Sequence, residues 1–172
     1  MKTPLCNFCL KSGVLCPSCE ERLKRGEISE LDVRMAKFLF KLENKYPSLS
    51  DVQFYKAVEA DGVLAILVNR SSIPKMLSYS GKIVHEIYSE TGKRVRVLEH
   101  SGDVRKFLED LFTPANIITI NKIWLPGDST ETRVILSERD MRRLPADVDT
   151  LKELAKKIRG MTIRVEFEKE KR

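Results

Sequence analysis

The feature that most limits what this chain can fold into lies near its N-terminus. All four cysteines, Cys6, Cys9, Cys16 and Cys19, fall in the segment CNFCLKSGVLCPSC. Each pair has two residues between its members, a spacing that lets two thiolates from one tight turn reach the same ion. Two such knuckles supply four soft ligands in a tetrahedron, a donor set suited to Zn2+. Gly13 sits between the knuckles, where the chain must reverse. The segment is too short to build its own core, so metal binding would supply its folding energy. Two disulfides or a redox pair are the alternatives. A reducing cytosol disfavours disulfides, and a thioredoxin-like site uses one CxxC in a strand–helix context, not two in succession. Four thiolates leave no open coordination position, so the expected site is structural, not catalytic. The expectation for residues 1–28 is a zinc ribbon or treble-clef-like module, with a helix following the second knuckle.

Beyond it, residues 29–46, SELDVRMAKFLFKLENKY, predict a helix. Ser29 is its N-cap with Asp32 three residues on, Leu31, Met35, Phe38, Leu39 and Leu42 form its apolar stripe, and Pro47 closes it. VQFYKAVEA and GVLAILVNR predict a hairpin that turns at Asp61-Gly62. SSIPKML predicts a short helix with Pro74 in its first turn. GKIVHEIYSETG predicts a second helix stopped at Gly92, and KRVRVLE a strand with Val95 and Val97 on one face and Arg94 and Arg96 on the other.

The same order then recurs. GDVRKFLEDLF predicts a helix, and NIITINKIWL and ETRVILS are strands joined by PGDST. ERDMRRL begins a helical stretch, VDTLKELAKKIRG is a longer helix, and MTIRVEFE is a final strand. Identity between the halves is low, but KMLSYSGKIVHEI lies in register over RRLPADVDTLKEL. Internal duplication of a supersecondary unit outweighs any single motif as a guide to fold. The expectation is an α+β chain of three parts: 1–28, 29–100 and 101–172. The junction HSGD is short, so the last two parts are expected to pack in tandem.

The run IPKMLSYSGKIVHEIYSETGKRVRVLE resembles the heart of a type II KH domain. There a short helix, a G-x-x-G loop, a helix and a strand clamp about four single-stranded nucleotides. The segments FTPANIITINKIWL, TRVILSERDM and LKELAKKIRGMTIRVEFE are similar to the following KH domain of the transcription factor NusA, in its archaeal form. The resemblance covers roughly residues 30 to 170 and does not include the cysteine module. It implies two type II KH-like units and an RNA partner. The positions matching G-x-x-G are Ser78, Tyr79, Ser80 and Gly81. The second glycine is kept and the first is serine, whose hydroxyl can bond phosphate. Tyr79 could stack on a base, and Lys75, Lys82, Arg94 and Arg96 would supply charge. In the second unit the matching positions are Pro145, Ala146, Asp147 and Val148. No glycine remains, Pro145 removes an amide donor, and Asp147 and Asp149 are good first-turn residues for a helix. The clamp is expected to be lost there.

A net charge of +6 among 33 % charged residues permits a nucleic-acid partner without demanding one. His85 and His100 lie apart, with no nucleophile motif beside either, and the sequence has no Walker loop and no G-x-G-x-x-G. An enzyme and a small-molecule substrate are therefore not expected. No apolar run nears the roughly 18 residues that cross a membrane, and the N-terminus lacks an apolar signal core, so a cytoplasmic protein with no membrane partner is expected. Two functions remain. One is an RNA-binding factor of gene expression, acting on nascent transcript or ribosomal RNA. The other is an adaptor docking on RNA polymerase or the ribosome with little direct grip on RNA. A continuous basic face beside Ser78–Gly81 favours the first; acidic residues interrupting it favour the second.

Overall fold

The structure is a computed structural model and describes residues 1–169. The chain divides into two compact units. The first comprises Met1–Val58 and Leu64–Ser101; the second begins at Gly102, with Glu59–Val63 grouped with it. Each holds one three-stranded sheet.

The first unit opens with two short helices, α1 (Asn7–Ser12) and α2 (Pro17–Lys24), and a longer one, α3 (Glu30–Glu43). Ser29 and Asp32 close a capping box at the start of α3: Asp32 N–H donates to Ser29 Oγ (3.0 Å), and Ser29 N–H donates to Asp32 Oδ2 (2.8 Å). The helix ends at Asn44, ahead of Pro47, which instead opens a 3-10 turn. Strands β1 (Phe54–Ala60) and β2 (Val63–Val68) follow as a hairpin through Asp61 and Gly62. Then come α4 (Ile73–Met76), a 3-10 turn over Tyr79–Gly81, α5 (Lys82–Thr91) and β3 (Arg94–Glu99). The sheet order is β1-β2-β3, and His100 N–H donates to Val68 C=O (2.8 Å) where the C-terminal ends of β2 and β3 meet.

Met35, Leu39, Leu49, Phe54, Leu64, Ile66, Ile83 and Ile87 form the centre of this unit's buried cluster. Each such side chain contributes roughly 1.5–3 kcal/mol on burial. The cluster also takes in Leu5, Cys9, Leu10 and Cys19, so residues 1–28 share the core of the first unit. The outer edge of β1 is occupied. Phe54 N–H donates to Lys2 C=O (2.9 Å), and Ala57 N–H donates to Asp32 Oδ1 (2.6 Å). Occupied edge amides cannot template pairing with another chain.

The second unit runs α6 (Val104–Phe112), β4 (Ile117–Leu125), β5 (Ser129–Ser137), a 3-10 stretch over Glu138–Arg143, α7 (Val148–Arg159) and β6 (Ile163–Glu168). β4 pairs antiparallel with β5, and β5 pairs parallel with β6. Phe107, Leu108, Leu111 and Phe112 of α6, Leu151, Leu154 and Ala155 of α7, and Val134 and Leu136 of β5 are buried. Among the described elements the order helix, strand, strand, helix, strand thus occurs twice, as the register of the sequence predicts. No described helix is long and apolar enough to cross a membrane.

Candidate metal centre and candidate nucleic-acid loop

Both cysteine pairs are set by helix starts. Cys6 is the N-cap of α1 and Cys16 the N-cap of α2, with Pro17 at the first helical position. Cys9 and Cys19 therefore occupy the third helical position, and each pair closes within one turn. Gly13 ends α1 with φ +76°, the reversal its place in the sequence predicts. A ribbon does not form. The elements of residues 1–28 are two helices, and among the described residues their only strand-like pairing is the bridge between Lys2 and Gln53. The reason is local: at the second pair a cysteine cap followed by proline starts a helix, and neither knuckle has a β-branched run beside it. The expected helix after the second pair does form, but it starts inside the pair.

The four Sγ atoms all lie within 4.8 Å of one another, and all four thiols are free of disulfides. Cys6 Sγ is 3.3 Å from Cys9 Sγ and 3.8 Å from Cys16 Sγ. A tetrahedral thiolate site with bonds of about 2.3 Å has sulfur–sulfur edges of about 3.8 Å, so the donor set and spacing fit one metal ion. Backbone amides already point at the sulfurs: Cys16 N–H donates to Cys9 Sγ (3.1 Å), and Cys19 N–H donates to Cys16 Sγ (3.5 Å). The Cys9 backbone amide holds the exposed Cys6 thiol down to about 7. Burial pushes the Cys9 thiol up to about 12. Cys9 and Cys19 are buried in the α3 core, Cys16 is half-buried against it, and Cys6 is exposed.

The loop before α5 has an unusual backbone. Tyr79, Ser80 and Gly81 all have positive φ, at 55°, 55° and 77°. For Tyr79 and Ser80 this left-handed conformation costs roughly 1–2 kcal/mol each. Contacts from other elements hold it in place. The ring of Tyr79 lies 5.1 Å from that of Tyr46, and Tyr79 remains 44 % exposed. Ser78 Oγ donates to Lys75 C=O (2.6 Å) and sits 3.2 Å from Ser48 Oγ. Gly81 caps α5, so the loop amides stand at that helix's N-terminus.

The charges around the loop are mixed. Lys82 is exposed at the first position of α5. Lys75 lies 3.7 Å from the Asp51 carboxylate. Glu86, one turn beyond Lys82, forms an ion pair with Lys45 and accepts from Tyr46 Oη (3.1 Å). Those two partners, Lys45 first, hold the Glu86 carboxyl below its usual range. Arg94 and Arg96 lie on β3, which starts past the C-terminal end of α5; the ten-residue helix puts about 15 Å between Gly81 and that end. Lys75, Ser78, Tyr79, Ser80, Gly81 and Lys82 are therefore adjacent, while Arg94 enters the fold at the far end of the helix. Tyr46, Ser48, Asp51 and Glu86 are loop neighbours that sequence reasoning did not single out. Glu86 could have been found from its helical spacing to Lys82. The other three arrive from more than 25 residues upstream and leave no local signal.

The corresponding positions of the second unit differ in backbone as well as in sequence. None of Pro145, Ala146, Asp147 and Val148 has positive φ. Asp147 occupies the N-cap of α7, and Ala146 is buried.

No protein-family model and no curated protein matches the chain. Among solved structures it is similar to the crystal structure of the archaeal protein APE1850, with a TM-score of 0.55 at 19 % identity over 74 % of this chain and 96 % of that one. At that identity the likeness is one of fold: an α+β chain with two three-stranded sheets and, in this chain, a four-cysteine cluster at its N-terminus.

Proposed function

We propose that this chain is an RNA-binding factor of gene expression, built from a structural Zn2+ site and two type II KH-like units in tandem, the first of which keeps a weakened clamp. The observation that carries this reading is the backbone of Tyr79–Gly81. Three successive left-handed residues, two of them not glycine, form a strained turn that presents amides at the start of α5. Strain of this kind is retained where function uses it, and amides at a helix start suit phosphate. Cys6, Cys9, Cys16 and Cys19 would hold the zinc, which supplies rigidity and no reaction. The second unit, with Asp147 at the equivalent helix start and no left-handed turn, serves in this reading as a partner without a clamp.

The adaptor reading has its own support. Asp51 beside Lys75 and Glu86 beside Lys82 interrupt the basic face, and the Ser78 hydroxyl is already engaged. The two separate on one measurement: affinity of wild type and of the double variant Tyr79→Asp, Ser80→Asp for a panel of single-stranded RNAs. Loss of one stacked base and added repulsion should weaken binding by ~1–3 kcal/mol. Equal affinities would make the loop a relic and give the adaptor reading the lead. Crosslinking in cells, with sequencing of bound RNA, would then separate ribosomal RNA from nascent transcript.

A further inference from the structure

The β4–β5 hairpin carries a second constellation, which no reading of the loop uses. One face of it bears Ile120, Lys122 and Trp124, set across from Val134, Thr132 and Thr130. Val134 is fully buried, which marks this as the core-facing side. Towards the hairpin tip the same face borders a cavity of about 600 Å3, lined by Val104, Ile120, Lys122, Thr130, Thr132 and Arg159, with Gly160–Thr162 closing it.

The chemistry of this cavity is one-sided. None of its lining residues carries a carboxylate. Arg159 is fixed: Nη1 donates to Gly102 C=O (3.1 Å), and the guanidinium lies 4.8 Å from the centre of the Phe107 ring. Its Nε and Nη2 are buried and make no hydrogen bond. Buried donors left without a partner are costly; these two nitrogens are closed to solvent, so an anion in the cavity acts on the guanidinium by charge. Lys122 Nζ stands 4.8 Å from the Trp124 ring centre, and Trp124 is 72 % exposed, so one face of the indole is covered by a cation and the other is open. The opposite side of the sheet differs. There Arg133 pairs with Glu166 (2.7 Å) and Arg164 with Glu131 (4.0 Å).

We propose that this face binds single-stranded RNA, one base stacking on the open face of Trp124 and its phosphate lying between Lys122 and Arg159, with the Thr130 and Thr132 hydroxyls as donors. An aromatic plane beside cations is the arrangement that holds an unpaired nucleotide. An acidic peptide would use the cations and leave the indole without a flat partner. The site is separate from the turn at residues 79–81 and stands even if that turn is a relic.

Trp124 is the chain's only tryptophan, so its emission reports on this face alone. The full chain is titrated at low salt with a trinucleotide of RNA, and half-saturation is read from the quench. A saturable quench is expected, with half-saturation raised about tenfold in Lys122→Glu, a substitution at an exposed position. The slope of log affinity against log salt should fall by about 0.7 in that variant. The quench should persist in the Tyr79→Asp, Ser80→Asp variant. Absence of a quench, or half-saturation unchanged in Lys122→Glu, would overturn the proposal. So would an equal quench by polyglutamate, which would point to an acidic protein, or by a nucleoside monophosphate at the same concentration, which would point to a free nucleotide.

Discussion

Ser80 holds φ +55° without being a glycine, next to Tyr79 at the same angle. What offsets that strain is the Tyr46–Tyr79 ring contact and the Ser78 hydroxyl bonds. Ser80 itself is exposed, so replacing it removes little packing. Ser80→Gly should therefore raise the stability of the first unit by about 1 kcal/mol. Gly81→Ala should lower it by a similar amount through backbone strain alone, since nothing lies within 4 Å of an added Cβ. Urea denaturation of both variants tests this; an unchanged midpoint for either would mean that the turn relaxes in solution. At this scale the sequence was partly legible. Gly81 announces a left-handed position at a helix start. That Tyr79 and Ser80 share it could not be read, because the ring that holds them there, Tyr46, arrives from the turn after α3.

Helices and strands were the most legible level, since each rests on short-range chemistry. The Ser29–Asp32 box, Gly92 at the end of α5 and Asp61-Gly62 between β1 and β2 all act where the sequence places them. What pattern could not supply is how elements are tied together. Asp32 reads as a capping residue, yet its second oxygen accepts from Ala57 on β1. In the second unit Asp140, within a 3-10 stretch and buried, accepts from Asn116 N–H just before β4 (2.9 Å) and from Arg143 Nη1 (2.9 Å). The Asn116 amide, then Arg143, hold its carboxyl below the usual range. The sign of the pH effect follows. A depressed folded-state value contributes stability that is fully present above the unfolded value, about 3.9, and is lost as pH falls through the folded value. The second unit should thus lose stability below about pH 4 more steeply in wild type than in Asp140→Asn, which is less stable at neutral pH but has no carboxylate there to protonate. Denaturation midpoints at a series of pH values check this; parallel curves would mean that Asp140 contributes nothing to acid sensitivity.

Across the whole molecule, the duplicated element order was readable because the second half repeats the register of the first despite little identity. The place of the cysteine segment was not. By length alone it reads as a separate module, but Cys9 and Cys19 lie in one buried cluster with Met35 and Leu39 of α3. Spacing shows which sulfurs can meet, not which core lies beneath them. The consequence concerns metal removal. With a bound divalent ion, four thiolates close α1 and α2 over that cluster; without it, Cys6 and Cys9 face opposite conditions, one thiol near 7 and the other near 12. Buried Cys9 would then be a neutral thiol, and the segment would be held by Leu5, Leu10, Ile28, the amide–sulfur bonds and the Lys2 backbone bonds to Val52 and Phe54. Zinc sites of this kind contribute folding energy directly. The purified protein should therefore carry one zinc per chain by elemental analysis. A chelator, or Cys16→Ser, should shift the amide resonances of α3 and β1 as well as those of residues 1–28. The resonances of α6, α7 and β4–β6 should stay in place, because that unit has its own buried residues. Shifts confined to residues 1–28 would show that the shared cluster is held without the metal, and shifts throughout both units would show that their stabilities are coupled.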